Sequence, residues 1–141
     1  MKKHVVLLAL ALSCLTAKAQ YNVERLITSG QVALHYEDYV LSIQYFNQVI
    51  AMKPFLYVPW QGRAAAKFYL DDFVGAEADA TEAITLNPYI DILYDLRAIA
   101  RIRQNNFAGA ILDYDKAIKL SPDTRNFWFN RAICLMNTKD Y

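Results

Sequence analysis

Four aromatic residues at a fixed spacing constrain the fold of this chain more than any other feature of its sequence. Each closes a short tetrad, and the tetrads are YEDY at 36–39, LDDF at 70–73, QNNF at 104–107 and TKDY at 138–141. The closing residues stand 34 positions apart, at Tyr39, Phe73, Phe107 and Tyr141. A period of this length is typical of arrays in which one supersecondary unit stacks on copies of itself.

Prolines and apolar periodicity divide each period into two helices. Position 32 of successive units is occupied by Pro54, Pro88 and Pro122. A second helix should end there, because proline lacks the backbone donor and restricts the residue before it. After a lead-in at 20–22, the repeat predicts units at 23–56, 57–90 and 91–124 and a half unit at 125–141. The predicted fold class is all-α, an α-solenoid of antiparallel helix pairs with seven helices.

Small and aromatic residues at fixed positions of the unit indicate a family. Position 8 is small throughout, as Gly30, Ala64, Ala98 and Ala132, and position 4 carries Leu26, Trp60, Tyr94 and Trp128. The chain resembles tetratricopeptide-repeat (TPR) proteins, whose pattern has an aromatic at position 4, small residues at 8 and 20, and proline at 32. The aromatic residues at position 4 are therefore predicted to be core residues rather than platforms for stacking sugars.

The first 19 residues differ from the repeats and have the layout of a cleaved secretory signal. Two lysines precede an apolar run over 5–17, and Ala-Lys-Ala ends at Ala19, immediately before Gln20. The alternative is a lipoprotein signal, in which Cys14 would carry a lipid anchor. The apolar run is short for a bilayer span. The sequence thus predicts an exported protein without an integral membrane span, periplasmic or outer-membrane-associated in a Gram-negative bacterium.

Charge and residue usage disfavour several classes of function. Cleavage would remove three of the 15 basic residues and none of the 14 acidic ones, and the resulting slight negative charge does not favour nucleic acid. Cys134 and His35 would then be the only residues of their types, too few for a metal site or for a nucleophile paired with a base. We predict no catalytic residues, no metal and no cofactor, and the chain is not predicted to be an enzyme.

Arginine recurs at position 7 of three units, as Arg63, Arg97 and Arg131. Such a series is compatible with an anion site or with a structural role. Units two and three carry aspartate at position 23, whereas unit one has Ser29 and Tyr45 at the two corresponding positions. Because arginine and aspartate occur together or not at all in these units, we predict structural ion pairs, Arg63 with Asp79 and Arg97 with Asp113.

The family resemblance implies that the first helix of each unit lines a concave groove, chiefly through positions 2, 5, 9, 12 and 13. The predicted partner-binding residues are Ile27, Gln31, Leu34, Phe68, Tyr69, Ile99, Ile102, Arg103, Phe129, Ile133 and Met136. Family members that clamp a partner's C-terminal carboxylate use lysine and asparagine at positions 5 and 9, which Asp95 and Ile99 do not reproduce. An apolar groove favours an amphipathic helix or an extended apolar peptide. The alternative is that part of this stripe packs within the array or against further chain of the longer protein.

The predicted function is a non-enzymatic protein–protein interaction scaffold of the bacterial cell envelope. Two alternatives remain, the N-terminal docking region of a larger envelope enzyme and an outer-membrane assembly or glycan-uptake lipoprotein. Tyr141 falls where the second helix of a fourth unit would begin, and the preceding helix is apolar on nearly every side. Terminal helices of such arrays usually have a polar outer face. We therefore expect the chain to be the N-terminal part of a longer array.

Overall fold

A computed structural model describes residues 22–138, and these residues are helical apart from short turns. Helix α1 covers 22–35. It is followed by α2 (Tyr39–Met52), α3 (Tyr57–Tyr69), α4 (Phe73–Leu86), α5 (Asp91–Arg103), α6 (Phe107–Leu120) and α7 (Arg125–Thr138). The seven helices confirm the predicted all-α fold. The predicted signal peptide, the lipid anchor at Cys14 and the position of Tyr141 lie outside the described residues.

The helices repeat with the period of the sequence. The second helices α2, α4 and α6 begin at Tyr39, Phe73 and Phe107, which are three of the recurring aromatics, and each is 14 residues long. The first helices α3, α5 and α7 also begin 34 residues apart, at Tyr57, Asp91 and Arg125. From α2 onward each helix packs against the next one along the chain, and the first helices α3 and α5 also contact each other directly. This contact between first helices places them on the inner face of the array.

The turn within each unit uses two adjacent residues to reverse the chain. One residue takes the left-handed conformation, with φ of 62° at Glu37, 61° at Asp71 and 60° at Asn105. The following residue caps the second helix. Asp72, for example, accepts a hydrogen bond from the Gly75 N–H at 2.9 Å, and Asp38 and Asn106 cap α2 and α6 in the same way. The polar residues of these turns thus set where each second helix begins.

The turn between units is held by the polar end of the aromatic residue at position 4. The Trp60 Nε1–H donates to the Pro54 carbonyl at 2.9 Å, the Tyr94 hydroxyl to that of Pro88 at 3.1 Å, and the Trp128 Nε1–H to that of Pro122 at 2.8 Å. Tyr94 is buried and Trp60 packs against the core. Trp128 differs from the predicted core position because it is 52% exposed. It lies on the last described helix, and no further described helix covers that face.

The core follows the line between first and second helices. Its fully buried large side chains include Phe46, Leu93 and Tyr114. The alanines at positions 8 and 20 of units two and three are also inaccessible, namely Ala64, Ala76, Ala98 and Ala110. Small residues at the crossing points let the helix axes approach closely, so the larger side chains can interdigitate around them. Cys134 is completely buried in α7.

Candidate partner-binding groove

The predicted partner-binding residues lie on α1, α3, α5 and α7, the helices of the inner face. Several are well exposed, at 60% for Tyr69, 66% for Phe129, 63% for Met136 and 37% for Ile133. Gln31 and Arg103 are also exposed, whereas the other predicted residues are half-buried, namely Ile27, Leu34, Phe68, Ile99 and Ile102. The inner face therefore presents a discontinuous apolar surface, most accessible on α7.

A small concavity lies between α1 and α3. Its volume is about 150 Å³, and its walls include Gln31, Leu34, Gln61 and Ala65, with Phe46 among the lining residues. This space has the size of one or two side chains rather than of a small-molecule ligand. It brings the predicted residues Gln31 and Leu34 together with Gln61 and Ala65 of the next unit.

Aromatic rings and one arginine form the edge of the groove near the turns within the units. The Arg103 guanidinium lies 4.4 Å from the centroid of the Phe73 ring and 5.7 Å from that of Phe68. Arg103 also forms an exposed ion pair with Asp71 at 3.3 Å. Tyr69 stacks on Tyr39 with the ring centroids 5.0 Å apart. Tyr39 and Phe73 begin α2 and α4, and their 34-residue spacing could have indicated that they share this edge.

Two of the predicted groove residues take part in packing within the array. Ile99 packs against the cluster of Ala64, Ala80 and Leu96, and Ile102 packs against the larger cluster that contains Tyr114. A part of the apolar stripe therefore stabilises the stack of units, which limits the surface that these two residues offer to a partner.

Buried aspartates join the two helices of units two and three. Arg63 donates to both carboxylate oxygens of Asp79, from Nε at 2.7 Å and from Nη2 at 2.8 Å, and Lys67 adds a second cation at 2.9 Å. Asp113 is held in the same way by Arg97 at 2.6 Å and by Arg101 at 2.9 Å. The sequence interpretation missed the second cation, although Lys67 and Arg101 lie four residues after the arginines and therefore on the same helix face.

The arginines at position 7 also reach back to the preceding unit. Arg63 donates to Asn47 at 2.6 Å, Arg97 to the Thr81 hydroxyl at 3.3 Å and Arg131 to Asp115 at 2.6 Å. All three acceptors stand at position 25. The sequence could have indicated these contacts, because each unit has a polar residue at that position. Arg131, which has no aspartate of its own unit within the sequence, is thus paired with Asp115 of unit three. These guanidinium groups are occupied by neighbours and offer no free anion site.

The same arrangement of helix pairs occurs in solved structures of TPR proteins. The first TPR of Spaghetti (RPAP3), bound to the HSP90 peptide SRMEEVD, superposes with a TM-score of 0.81 at 23% identity over 84% of this chain and 97% of that chain. The TPR2B domain of yeast Sti1, in complex with pHsp70, has a TM-score of 0.78 at 21% identity over 82% and 98% of the two chains. MamA has a TM-score of 0.80 at 19% identity over 86% and 67%.

The chain has a TPR fold. No protein-family model matches the sequence, and no curated protein matches it. The similarity therefore concerns the fold, and the chemistry of the groove depends on the side chains that this chain places there.

Asp95 places a partly buried carboxylate on the inner face of the TPR array. It stands at position 5 of unit three, and its Oδ1 is buried without a hydrogen-bond partner among the described residues. The Tyr114 hydroxyl of α6 lies beside it and also lacks a partner in hydrogen-bond geometry. Burial raises the pKa of Asp95, an effect that the Tyr114 hydroxyl partly offsets and the carboxylate of Asp91 reinforces. Burial and the neighbouring Asp95 also raise the pKa of Tyr114.

The rest of the described TPR array offers little reactive chemistry. Residues 22–138 contain no cluster of histidine, cysteine and acidic residues that could hold a metal ion. Burial raises the pKa of the Cys134 thiol, which disfavours the reactive thiolate. Within the same range, none of the helices has the length and apolarity needed to cross a membrane.

Proposed function

We propose that this chain is a non-enzymatic TPR scaffold that binds a segment of another protein along its inner face. The observation that carries the proposal is the exposure of large apolar side chains on inner-face helices, with Tyr69, Phe129 and Met136 each at least 60% exposed. Exposed apolar groups that lie along one face are characteristic of surfaces for protein association. An amphipathic helix or an extended apolar peptide would cover them.

The solved TPR structures support peptide binding and also indicate a difference in specificity. The Spaghetti domain binds an acidic peptide, SRMEEVD. At positions 5 and 9, where the TPR carboxylate clamp uses lysine and asparagine, this chain has Gln61 and Ala65 in unit two and Asp95 and Ile99 in unit three. A carboxylate would meet no cation there and would be repelled by Asp95. The proposed partner is therefore apolar or amphipathic rather than an acidic C-terminus.

We further propose that the scaffold works in the envelope of a Gram-negative bacterium. The support is the sequence of residues 1–19, with its basic start, apolar run and Ala-Lys-Ala site. The intact mass of the protein purified from its native host tests this. A chain that begins at Gln20 is expected. A lipidated chain that begins at Cys14 would replace the soluble periplasmic location with a membrane-anchored one, and an unprocessed chain would contradict export.

Two substitutions of equal exposure test the groove. Phe129, on the inner-face helix α7, is 66% exposed, and Leu112, on the second helix α6, is 65% exposed. Immobilised wild-type protein, Phe129→Glu and Leu112→Glu would be compared for proteins captured from an envelope extract. We expect Phe129→Glu to lose the partners that wild type and Leu112→Glu retain. Circular dichroism checks that both variants are folded, and identical capture by all three proteins would contradict binding at the inner face.

A further inference from the structure

We propose that Asp95 forms a subsite for a lysine or arginine side chain of the segment that binds in the groove. The inference rests on the proposed function and specifies its ligand. The expected ligand is a peptide segment in which a basic residue lies between apolar ones. The charged group of this ligand is basic, whereas the peptide bound by the Spaghetti domain is acidic.

The other buried aspartates of the chain show what Asp95 lacks. The Asp79 side chain is 4% exposed and pairs with Arg63 and Lys67. The Asp113 side chain is 2% exposed and pairs with Arg97 and Arg101. Asp95 is half-buried and its Oδ1 is inaccessible to solvent, yet no lysine or arginine among residues 22–138 forms an ion pair with it. Because burial of a carboxylate without a compensating partner is costly, the missing cation is the feature that a ligand would supply.

The neighbouring tyrosine does not replace that cation. Unit one has Ile27 and Phe46 at the two positions that Asp95 and Tyr114 occupy in unit three, so the polar pair substitutes for an apolar one. If the two polar groups served only each other, a closed hydrogen bond would be expected. The Tyr114 hydroxyl lies near enough to Asp95 to lower the pKa of the carboxyl, but neither Asp95 Oδ1 nor Tyr114 Oη has a partner in hydrogen-bond geometry within the described part of the chain. A hydroxyl group also brings no positive charge. The pair is therefore left with an unmet electrostatic requirement.

The surroundings of Asp95 fit the long side chain of lysine or arginine. Ile92 and Ile99 lie three residues before and four residues after Asp95, on the same face of α5, and Ile92 is 44% exposed. The aliphatic part of a basic side chain can pack on such residues while its charged end reaches the carboxylate. The three arginines of α5 already have partners, since Arg97 and Arg101 pair with Asp113 and Arg103 contacts Asp71 and aromatic rings.

The groups around the carboxylate are few. Asp91 faces it from the same helix and adds negative charge, Tyr114 faces it from α6, and Asn130 and Cys134 of α7 lie next to Tyr114. None of these groups is cationic. A bound ammonium or guanidinium group would favour the ionised form of Asp95 and lower its pKa.

A random 14-residue peptide library displayed on phage is the probe, since 14 residues is the length of this chain's own second helices. It would be selected on wild type, on Asp95→Asn and on Glu82→Gln. The Asn variant keeps the shape of the side chain and removes its charge. Glu82 is exposed on α4, so its substitution removes the same charge elsewhere. The strongest wild-type peptide would then be synthesised with its basic residue unchanged or replaced by norleucine, and binding would be measured by fluorescence anisotropy.

We expect wild type and Glu82→Gln to enrich a lysine or arginine flanked by apolar residues, and Asp95→Asn to lose that preference. The norleucine replacement should weaken binding to wild type roughly tenfold and leave binding to Asp95→Asn nearly unchanged, as expected for a hydrogen bond to a charged group. Enrichment of apolar peptides without a basic residue would overturn the subsite and leave the proposed groove intact. Failure of wild type to enrich any peptide that Phe129→Glu does not would overturn both.

Discussion

The first two interfaces between units distribute side-chain volume in opposite ways. At the first, the ring of Phe46 lies against Gly30 and Gly62, and a Cβ added at Gly30 would come within 2.8 Å of that ring. At the second, the same three positions hold Ala64, Ala80 and Leu96, which form one cluster. We call these residues the first and the second packing set.

The difference shows that the repeat specifies a volume rather than a residue at each position. In the first set the second helix supplies the large side chain, and in the second set the following first helix supplies it. Each interface thus has one large side chain between the helices. A protein interior is packed as densely as a crystal, so it tolerates neither a second large side chain there nor the cavity that small residues alone would leave. A consensus sequence lists the residues of each position separately, so it does not show that the volume allowed at one position depends on the residue at another.

The largest effect is expected from breaking the first packing set. Phe46→Ala should cost about 3–5 kcal/mol because it leaves a cavity in a fully buried site. Gly62→Leu should cost about 1–3 kcal/mol because the new side chain meets the Phe46 ring. The triple variant Gly30→Ala, Phe46→Ala, Gly62→Leu copies the second packing set and should recover most of both losses. Urea denaturation gives the free energy of unfolding for each variant.

The triple variant decides whether the two interfaces are interchangeable. Its stability should lie within about 1.5 kcal/mol of wild type, as is usual when core volume is conserved. A loss equal to the sum of the losses of the single variants would show that the three positions act independently, and would contradict the exchange of volume between the two helices.

The units also differ in their buried ion pairs, because unit one has Tyr45 at the position that Asp113 occupies in unit three. Asp113→Leu should cost about 3 kcal/mol because it leaves Arg97 and Arg101 partly buried without their carboxylate. Arg97→Leu should cost less, since Arg101 still neutralises Asp113. In the double variant the loss should be clearly smaller than the sum of the two. Thermal melts of the three proteins measure this coupling, and additive losses would contradict the pairing.

A matched control lies on the same helix. Asp115 pairs with Arg131 at 2.6 Å, but its side chain is 47% exposed. Asp115→Leu should therefore change stability by less than about 1 kcal/mol, as is usual for exposed ion pairs. If it cost as much as Asp113→Leu, burial would not be the reason for the effect.

The sequence was sufficient for the architecture because the period, the prolines and the small residues each report on local backbone geometry. The arginine and aspartate positions were equally visible, since an ion pair needs only two residues in phase. Other features depend on the third dimension. Asp95 and Tyr114 are 19 positions apart, and the absence of a hydrogen bond between them follows from side-chain geometry rather than from any pattern. The left-handed turns were hidden because glycine does not mark them.

Those turns give a smaller test that compares unit one with unit three. Glu37 has φ of 62° and Asn105 has φ of 60°. Asparagine visits this region more readily than glutamate, and glycine more readily than either. Glu37→Gly should therefore stabilise the protein by about 0.5 kcal/mol, while Asn105→Gly should change little. Thermal melts of the two variants give the comparison. Destabilisation by Glu37→Gly would mean that contacts of the glutamate side chain outweigh backbone strain.

A stability effect of similar size is expected from the pH dependence contributed by Glu77, which belongs to the second interface. Glu77 accepts hydrogen bonds from Arg101 at 2.7 Å and from Gln104 at 2.8 Å, whereas unit one has Ile43 at the same position. Partial burial opposes ionisation, but the two hydrogen bonds and the arginine charge lower the pKa of Glu77 below its usual value of 4.5. A lowered pKa in the folded state contributes stability above the unfolded pKa, and that stability is lost as pH falls through the folded pKa.

Glu77→Gln should therefore lose less stability than wild type when the pH is lowered from neutral to about 3. Glu82 lies on the exposed face of the same helix, so Glu82→Gln should lose as much stability as wild type. The side chain of Glu77 is 25% exposed, so solvent screening should keep the difference below about 1 kcal/mol. Urea denaturation at each pH measures it. Equal losses in wild type and Glu77→Gln would mean that the carboxylate charge contributes nothing, and that the two interfaces differ in packing alone.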